Sequence, residues 1–180
     1  MIRLAFIGCG NMQQVHYRHL QGFEDVQMVG HCDVDEARAR TAADAHGGEA
    51  FTDYHTMYEK VEPDAIYVAV PPYAHGEIEE AAAKRGIHLF IEKPIALDRK
   101  TANRIARTVA NCRVLCAVAY CFRYSDLVTL ARKQLKGHAT CLISGTLITG
   151  MPEVWWWRRM DRSGGQVGVP GEGARVGVQV

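Results

Sequence analysis

The chain carries almost no excess of charge. Its Lys+Arg 21 against Asp+Glu 20 leave a net charge of +1 over 180 residues. Nucleic-acid binders show a basic stripe, and this balance supplies none. The cluster Arg158, Arg159 and Arg162 can hold a phosphate but reads first as solvated arginines. No apolar run approaches the ~18 residues that a membrane helix needs. The first apolar run is also too short for a signal peptide, because a glycine turn follows it directly. There is no P-loop, no nucleophile elbow and no internal repeat.

Metal chemistry is equally poorly supplied. The cysteines at 9, 32, 112, 116, 121 and 141 include no C-x-x-C pair and no paired metal-knuckle spacing. Most lie in apolar, strand-like surroundings. They are expected to be buried, reduced thiols of a cytoplasmic protein. His16 and His19 share a helix face but have no carboxylate or thiolate near them in sequence, so they read as surface or packing histidines.

What is present is an ordinary globular balance, 48% hydrophobic and 23% charged. The length suits one domain plus a remainder, with enough chain for a core. Apolar β-rich runs at 2–8, 26–33, 50–52, 65–70, 87–91 and 114–120 alternate with helical segments at 11–21, 34–46, 54–61, 75–85 and 98–110. Val15 and Leu20 are inward candidates on the first helix, Gly47-Gly48 stops the second, and Asp98 is an N-cap. Strands that are continuously apolar rather than alternating belong to a parallel sheet covered on both faces. The expected fold class is therefore α/β, a doubly wound parallel sheet. A helix over 124–135 and a strand over 140–149 follow, then a Gly- and Val-rich end.

Four motifs fall at strand ends. Gly8-Cys9-Gly10-Asn11-Met12-Gln13 lies between the first strand and the first helix. Gly8 permits the tight turn, and Gly10 lets a pyrophosphate approach the backbone at the helix N-terminus. Gln13 replaces the third glycine of the G-x-G-x-x-G pattern, which implies a slightly displaced helix. Asp33 ends the second strand, twenty residues after Gln13. A carboxylate there accepts from the adenosine ribose hydroxyls and repels a 2′-phosphate, favouring NAD over NADP. Asp35 competes for that role, and Arg38 and Arg40 leave NADP open. Pro71-Pro72 stiffen the loop after the fourth strand, where His75 either caps a helix or touches the cofactor. Glu92-Lys93-Pro94 follows the fifth strand. Lys93 can hydrogen-bond a substrate oxygen and stabilise developing negative charge. A cis bond at Pro94 would re-aim that lysine.

Taken together, Gly8–Met12, Asp33, Pro71-Pro72 with His75, and Glu92-Lys93-Pro94 resemble the Gfo/Idh/MocA oxidoreductases. Tyr120-Cys121-Phe122-Arg123-Tyr124 resembles that family's junction between two domains, and Trp157-Arg158 with Ser163-Gly164-Gly165 a later block. The resemblance implies reversible hydride transfer between NAD(P) and a sugar or polyol carbinol. It places Lys93 against substrate and nicotinamide ribose as the catalytic group. Gly8, Gly10, Asn11, Met12, Asp33, Pro71, Pro72, His75, Glu92, Arg123, Trp157 and Arg158 would line the cofactor. A homo-oligomer would follow from the family's second domain.

The expected organisation is a dinucleotide-binding domain over 1–121, the truncated start of an α+β substrate domain over 122–166, and an irregular tail over 167–180. The resemblance also implies a helix with an Asp/His pair after the Ser-Gly-Gly segment. Here no histidine follows His138, and Asp161 precedes the glycine pair. Losing such a general base costs ~10²–10⁴ in rate. The abrupt composition of the tail points to out-of-frame translation of a truncated frame, the alternative being a short protein with a flexible end. A non-catalytic dinucleotide-binding fragment is the competing functional expectation.

Overall fold

The computed structural model describes residues 1–137. Six strands, β1 (Ile2–Ile7), β2 (Val26–Cys32), β3 (Glu49–Phe51), β4 (Ala65–Val68), β5 (His88–Ile91) and β6 (Cys116–Val118), form one sheet. Every pairing is parallel, and the order is β3-β2-β1-β4-β5-β6. The order runs outward from β1 in one direction and from β4 in the other. This is the expected doubly wound arrangement, and its reversal lies between β1 and β4. The helices are α1 (Asn11–Leu20), α2 (Glu36–His46), α3 (Tyr54–Val61), α4 (Glu77–Lys84), α5 (Arg99–Cys112) and α6 (Asp126–Leu135).

The core explains the continuous apolar strands. Successive residues of β1 point to opposite faces. Leu4 and Phe6 pack with Tyr17 and Leu20 of α1 and Ala42 of α2. Ala5 and Ile7 pack with Met57 and Val61 of α3, Ile78 and Ala82 of α4, and Ile105 of α5. Both faces of the central strand are therefore dry, and neither can be polar.

Local boundaries follow hydrogen-bonding needs. Asp35 caps α2 by accepting from the Ala37 N–H at 3.0 Å, so that helix begins at Glu36 rather than at 34. Gly47 ends it at φ 81. Asp98 caps α5 as expected, accepting from the Thr101 N–H at 2.8 Å. The expected helix over 75–85 is the shorter α4, Glu77–Lys84, and a 3-10 turn at Pro72–Ala74 precedes it. On α1 the inward face is Gln13, Tyr17 and Leu20, with Val15 only half-buried. The Lys93–Pro94 peptide is cis.

The cysteines correct one expectation. Cys9 and Cys32 are buried, but Cys112, Cys116 and Cys121 are exposed, and none of these five is paired. Among the described residues β6 is an edge strand with β5 as its one neighbour, so an apolar run there does not ensure cover. Cys141 and the expected strand over 140–149 lie outside the described residues. The chain divides into two compact units, 1–121 and 122–180. The described part of the second holds α6, capped by Ser125. Among the described residues no helix is long and apolar enough to cross a membrane.

Candidate functional site: a dinucleotide crevice

Because β2, β1, β4 and β5 are adjacent and parallel, their carboxyl ends share one edge. That edge brings together Gly8–Met12, Asp33, Pro71-Pro72 and Glu92-Lys93, which are far apart in sequence. Ligands of open α/β sheets bind outside this edge, at the reversal of strand order.

The turn after β1 is built against the neighbouring strands. The Gly8 N–H donates to the Cys32 carbonyl at 2.8 Å. Gly8 has φ +85, and a Cβ there would sit 2.4 Å from the Ala69 carbonyl oxygen. No residue with a side chain fits that contact. The Cys9 N–H donates to Asp33 Oδ2 at 2.8 Å, and the Asp35 N–H to Asp33 Oδ1 at 2.9 Å. Asp33 is therefore a clamp between two loops as well as a crevice residue. Asp35 is committed to capping α2. Burial pushes the Cys9 thiol up to about 12, so it stays protonated and is no nucleophile.

The residues fit a dinucleotide pyrophosphate. Gly10 caps α1 with no side-chain hydrogen bond, and the first turn holds no acidic residue. A Cβ on Gly10 would meet nothing within 4 Å, so the helix N-terminus opens onto free space. Its first N–H groups lack intrahelical acceptors and, with the helix dipole, favour an anion. Asn11 and Met12 are exposed beside it. Gln13, by contrast, is fully buried, and neither Oε1 nor Nε2 has a hydrogen-bond partner.

Beyond β4, Pro72 is buried and Pro71 half-buried. His75 is engaged by Glu79 through one ring nitrogen, while its buried Nε2 has no hydrogen-bond partner. Its side chain is fully buried, with Nδ1 2.6 Å from Glu79 Oε1, while Glu79 Oε2 accepts the Gly76 N–H at 2.6 Å. Beyond β5, Lys93 is exposed and Glu92 is buried. Glu92 Oε1 meets His16 Nε2 at 2.9 Å, and Oε2 accepts the Lys93 N–H at 3.1 Å. Burial raises the Glu92 carboxyl, but the His16 and Lys93 hydrogen bonds and charges outweigh it and hold the group below its ordinary value. Arg123 belongs to the second unit, and Trp157 and Arg158 lie outside the described residues.

The sequence did not point to the His16–Glu92 bond, although the expected packing role of His16 agrees with its ring lying against Tyr67 and Phe90. Nor did it point to the buried chain in which Tyr17 Oη meets His31 Nδ1 and His31 Nε2 meets the Gly47 carbonyl, both at 2.8 Å. The usable signal for the first was Glu92, a carboxylate at the end of a buried strand that needs a partner. Among the described residues no group of three or more His, Cys, Asp or Glu is placed to hold a metal.

Residues 2–120 match the family described as "Oxidoreductase family, NAD-binding Rossmann fold", the Gfo/Idh/MocA group. The chain belongs to this family. Membership brings a nicotinamide dinucleotide as the class of cofactor. An inositol 2-dehydrogenase of Rhizobium meliloti is 26% identical over 134 residues, 74% of this chain and 40% of that protein. A glycosyl hydrolase family 109 protein of Akkermansia muciniphila is 31% identical over 108 residues, 53% of this chain and 22% of that protein. A solved myo-inositol 2-dehydrogenase from Lactobacillus plantarum superposes with a TM-score of 0.67 at 28% identity, covering 74% of this chain and 40% of that one. The Gfo/Idh/MocA chain described here thus spans less than half the length of these relatives.

Proposed function

We propose that residues 1–121 form the dinucleotide-binding domain of an oxidoreductase that moves hydride between nicotinamide and a sugar or polyol carbinol, with NAD preferred to NADP. Residues 122–166 begin a substrate domain, and 167–180 are a tail outside it. The observation that carries the reading is the Asp33 carboxylate, bonded to the glycine turn at Cys9 and placed at the end of β2. A fixed negative charge there suits ribose hydroxyls and opposes a 2′-phosphate. Gly8, Gly10, Asn11 and Met12 take the pyrophosphate, and Pro71, Pro72 and Glu92 line the nicotinamide side. Lys93 is the catalytic residue: exposed beside them, its ammonium meets the substrate oxygen and stabilises its negative charge. Removing such a donor costs ~10²–10³ in rate. Arg123, Trp157 and Arg158 are the remaining candidates for the cofactor. The bound nicotinamide supplies the hydride acceptor or donor.

The relatives support a second reading as well. One is named as a dehydrogenase and another as a glycosyl hydrolase, so the shared fold leaves the reaction open. A dinucleotide-binding unit without turnover fits that overlap. Fluorescence titration with NADH and NADPH, followed by a polyol panel, separates the two. The first reading expects tighter NADH binding and reduction of NAD by a polyol. Binding without turnover selects the second, and absence of binding to either nucleotide sinks both.

A further inference from the structure

Glu92 is a nearly buried carboxylate placed next to the lysine assigned to substrate. The charged groups acting on it are His16 and Lys93. A buried carboxylate keeps a partner, and loss of one partner drives it to another. In the structure the partner is His16 of α1, with Nε2 2.9 Å from Oε1 and side chains 13% and 10% exposed.

His16 is held in one orientation. Its ring stands 5.3 Å from Tyr67 of β4 and 5.2 Å from Phe90 of β5, centroid to centroid, and those two rings stack at 4.6 Å. Nε2 then has one polar target, Glu92 Oε1. With that oxygen taken, Oε2 accepts the Lys93 backbone N–H rather than the Lys93 ammonium. The Glu92 N–H is tied to the Val68 carbonyl at 2.8 Å, so the backbone at 92 cannot swing away.

We infer that His16 is a positioning residue: by occupying Glu92 it fixes the backbone of residue 93 and leaves the Lys93 ammonium free for the crevice. The helix that receives the pyrophosphate thereby also sets the lysine. Without His16 the carboxylate turns to the ammonium beside it and draws Lys93 out of the crevice. This rests on the reading of Lys93 as the substrate-facing group, but its test needs neither cofactor nor turnover.

The full chain is reductively methylated with 13C-formaldehyde, and the Lys93 methyl signal is assigned with Lys93→Arg. His16→Phe keeps a ring between Tyr67 and Phe90 and removes the hydrogen bond. His16→Gln restores an N–H near the position of Nε2. In His16→Phe the Lys93 methyl signal is expected to shift, the mark of a new carboxylate partner beside the ammonium. His16→Gln is expected to return that signal to its wild-type position. An unmoved Lys93 signal in folded His16→Phe overturns the inference. So does an equal shift in His16→Phe and His16→Gln. Should His16→Phe fail to fold, His16→Leu is read by the same two criteria. A chain that binds no NADH but shows this pattern would fail the functional reading alone.

Discussion

The Cys9 backbone N–H donates to Asp33 Oδ2 across 2.8 Å, joining the turn after β1 to the end of β2. The other carboxylate oxygen takes the Asp35 N–H at 2.9 Å. One side chain thus holds the glycine turn and the start of the α2 cap, while each oxygen keeps a lone pair for a ligand hydroxyl. Stability and cofactor choice meet in the same residue.

Replacing Asp33 separates these roles. Asp33→Ala leaves two backbone donors without acceptors and should lower the unfolding free energy by ~2–3 kcal/mol, since hydrogen bonds to charged groups contribute ~1.5–3. Urea denaturation reads this. Asp33→Asn keeps one acceptor and removes the charge. It should move the NADH-to-NADPH ratio of dissociation constants about tenfold toward NADPH. An unchanged ratio would show that the carboxylate does not select the cofactor.

The two turn glycines should behave oppositely. Gly8→Ala puts a methyl 2.4 Å from the Ala69 carbonyl oxygen at φ +85. Its cost is ~2–5 kcal/mol, because both backbone conformation and packing oppose it. Gly10→Ala meets nothing within 4 Å and has an ordinary negative φ. Its stability should stay within ~1 kcal/mol of wild type. Its methyl nevertheless enters the space open to the pyrophosphate, so NADH binding should fall at least about tenfold. A folded Gly10→Ala chain that binds NADH normally would move the phosphate site elsewhere.

Element order was legible because a sheet covered on both faces writes itself as short apolar runs. The runs at β1, β4 and β5 could be buried no other way. Their ends were not legible. The apolar stretch 65–70 yields a strand only to Val68, since β1 has by then given way to the Gly8 turn. The stretch 114–120 pairs only over Cys116–Val118, because β5 ends at Ile91. The strand-end residues of the site were readable, being tied to local turn chemistry. The His16–Glu92 bond was not, since its partners lie 76 residues apart. His75, expected either to cap a helix or to touch the cofactor, has its Nδ1 2.6 Å from Glu79 of α4, a pairing that sequence position alone did not indicate.

Gln13 offers a test of what a buried amide costs here. Both amide atoms are sealed from solvent and unpartnered. Gln13→Met keeps an unbranched chain of similar length and removes the unmet polar atoms. It should raise stability by ~1–2 kcal/mol, the size of the desolvation cost it removes. Gln13→Gly restores the glycine pattern but leaves a cavity beside Tyr17, so it should destabilise by ~2 kcal/mol or more. Urea midpoints decide, and a destabilised Gln13→Met chain would show that an internal water satisfies the amide.

The buried His31 makes the fold less stable in acid. The Gly47 carbonyl can only accept, so His31 Nε2 carries the proton and Nδ1 accepts from the Tyr17 hydroxyl. Burial is the largest influence on the imidazole; with the nearby His46 it outweighs the Gly47 hydrogen bond and lowers it from 6.5 to about 4. Between those values the unfolded chain binds a proton that the folded chain refuses, so stability rises with pH across the window. It is complete above about 6.5 and is lost as pH falls toward about 4, by on the order of 3 kcal/mol. His46 is lowered by burial too and adds the same sign. In His31→Gln the amide Nε2 still reaches toward Gly47, but nothing titrates at position 31. Urea midpoints measured from pH 7.5 to pH 4.5 should therefore fall more steeply in the wild type than in His31→Gln. Parallel slopes would mean that protonated His31 is tolerated inside the fold, with the Tyr17 hydroxyl turning to accept from it.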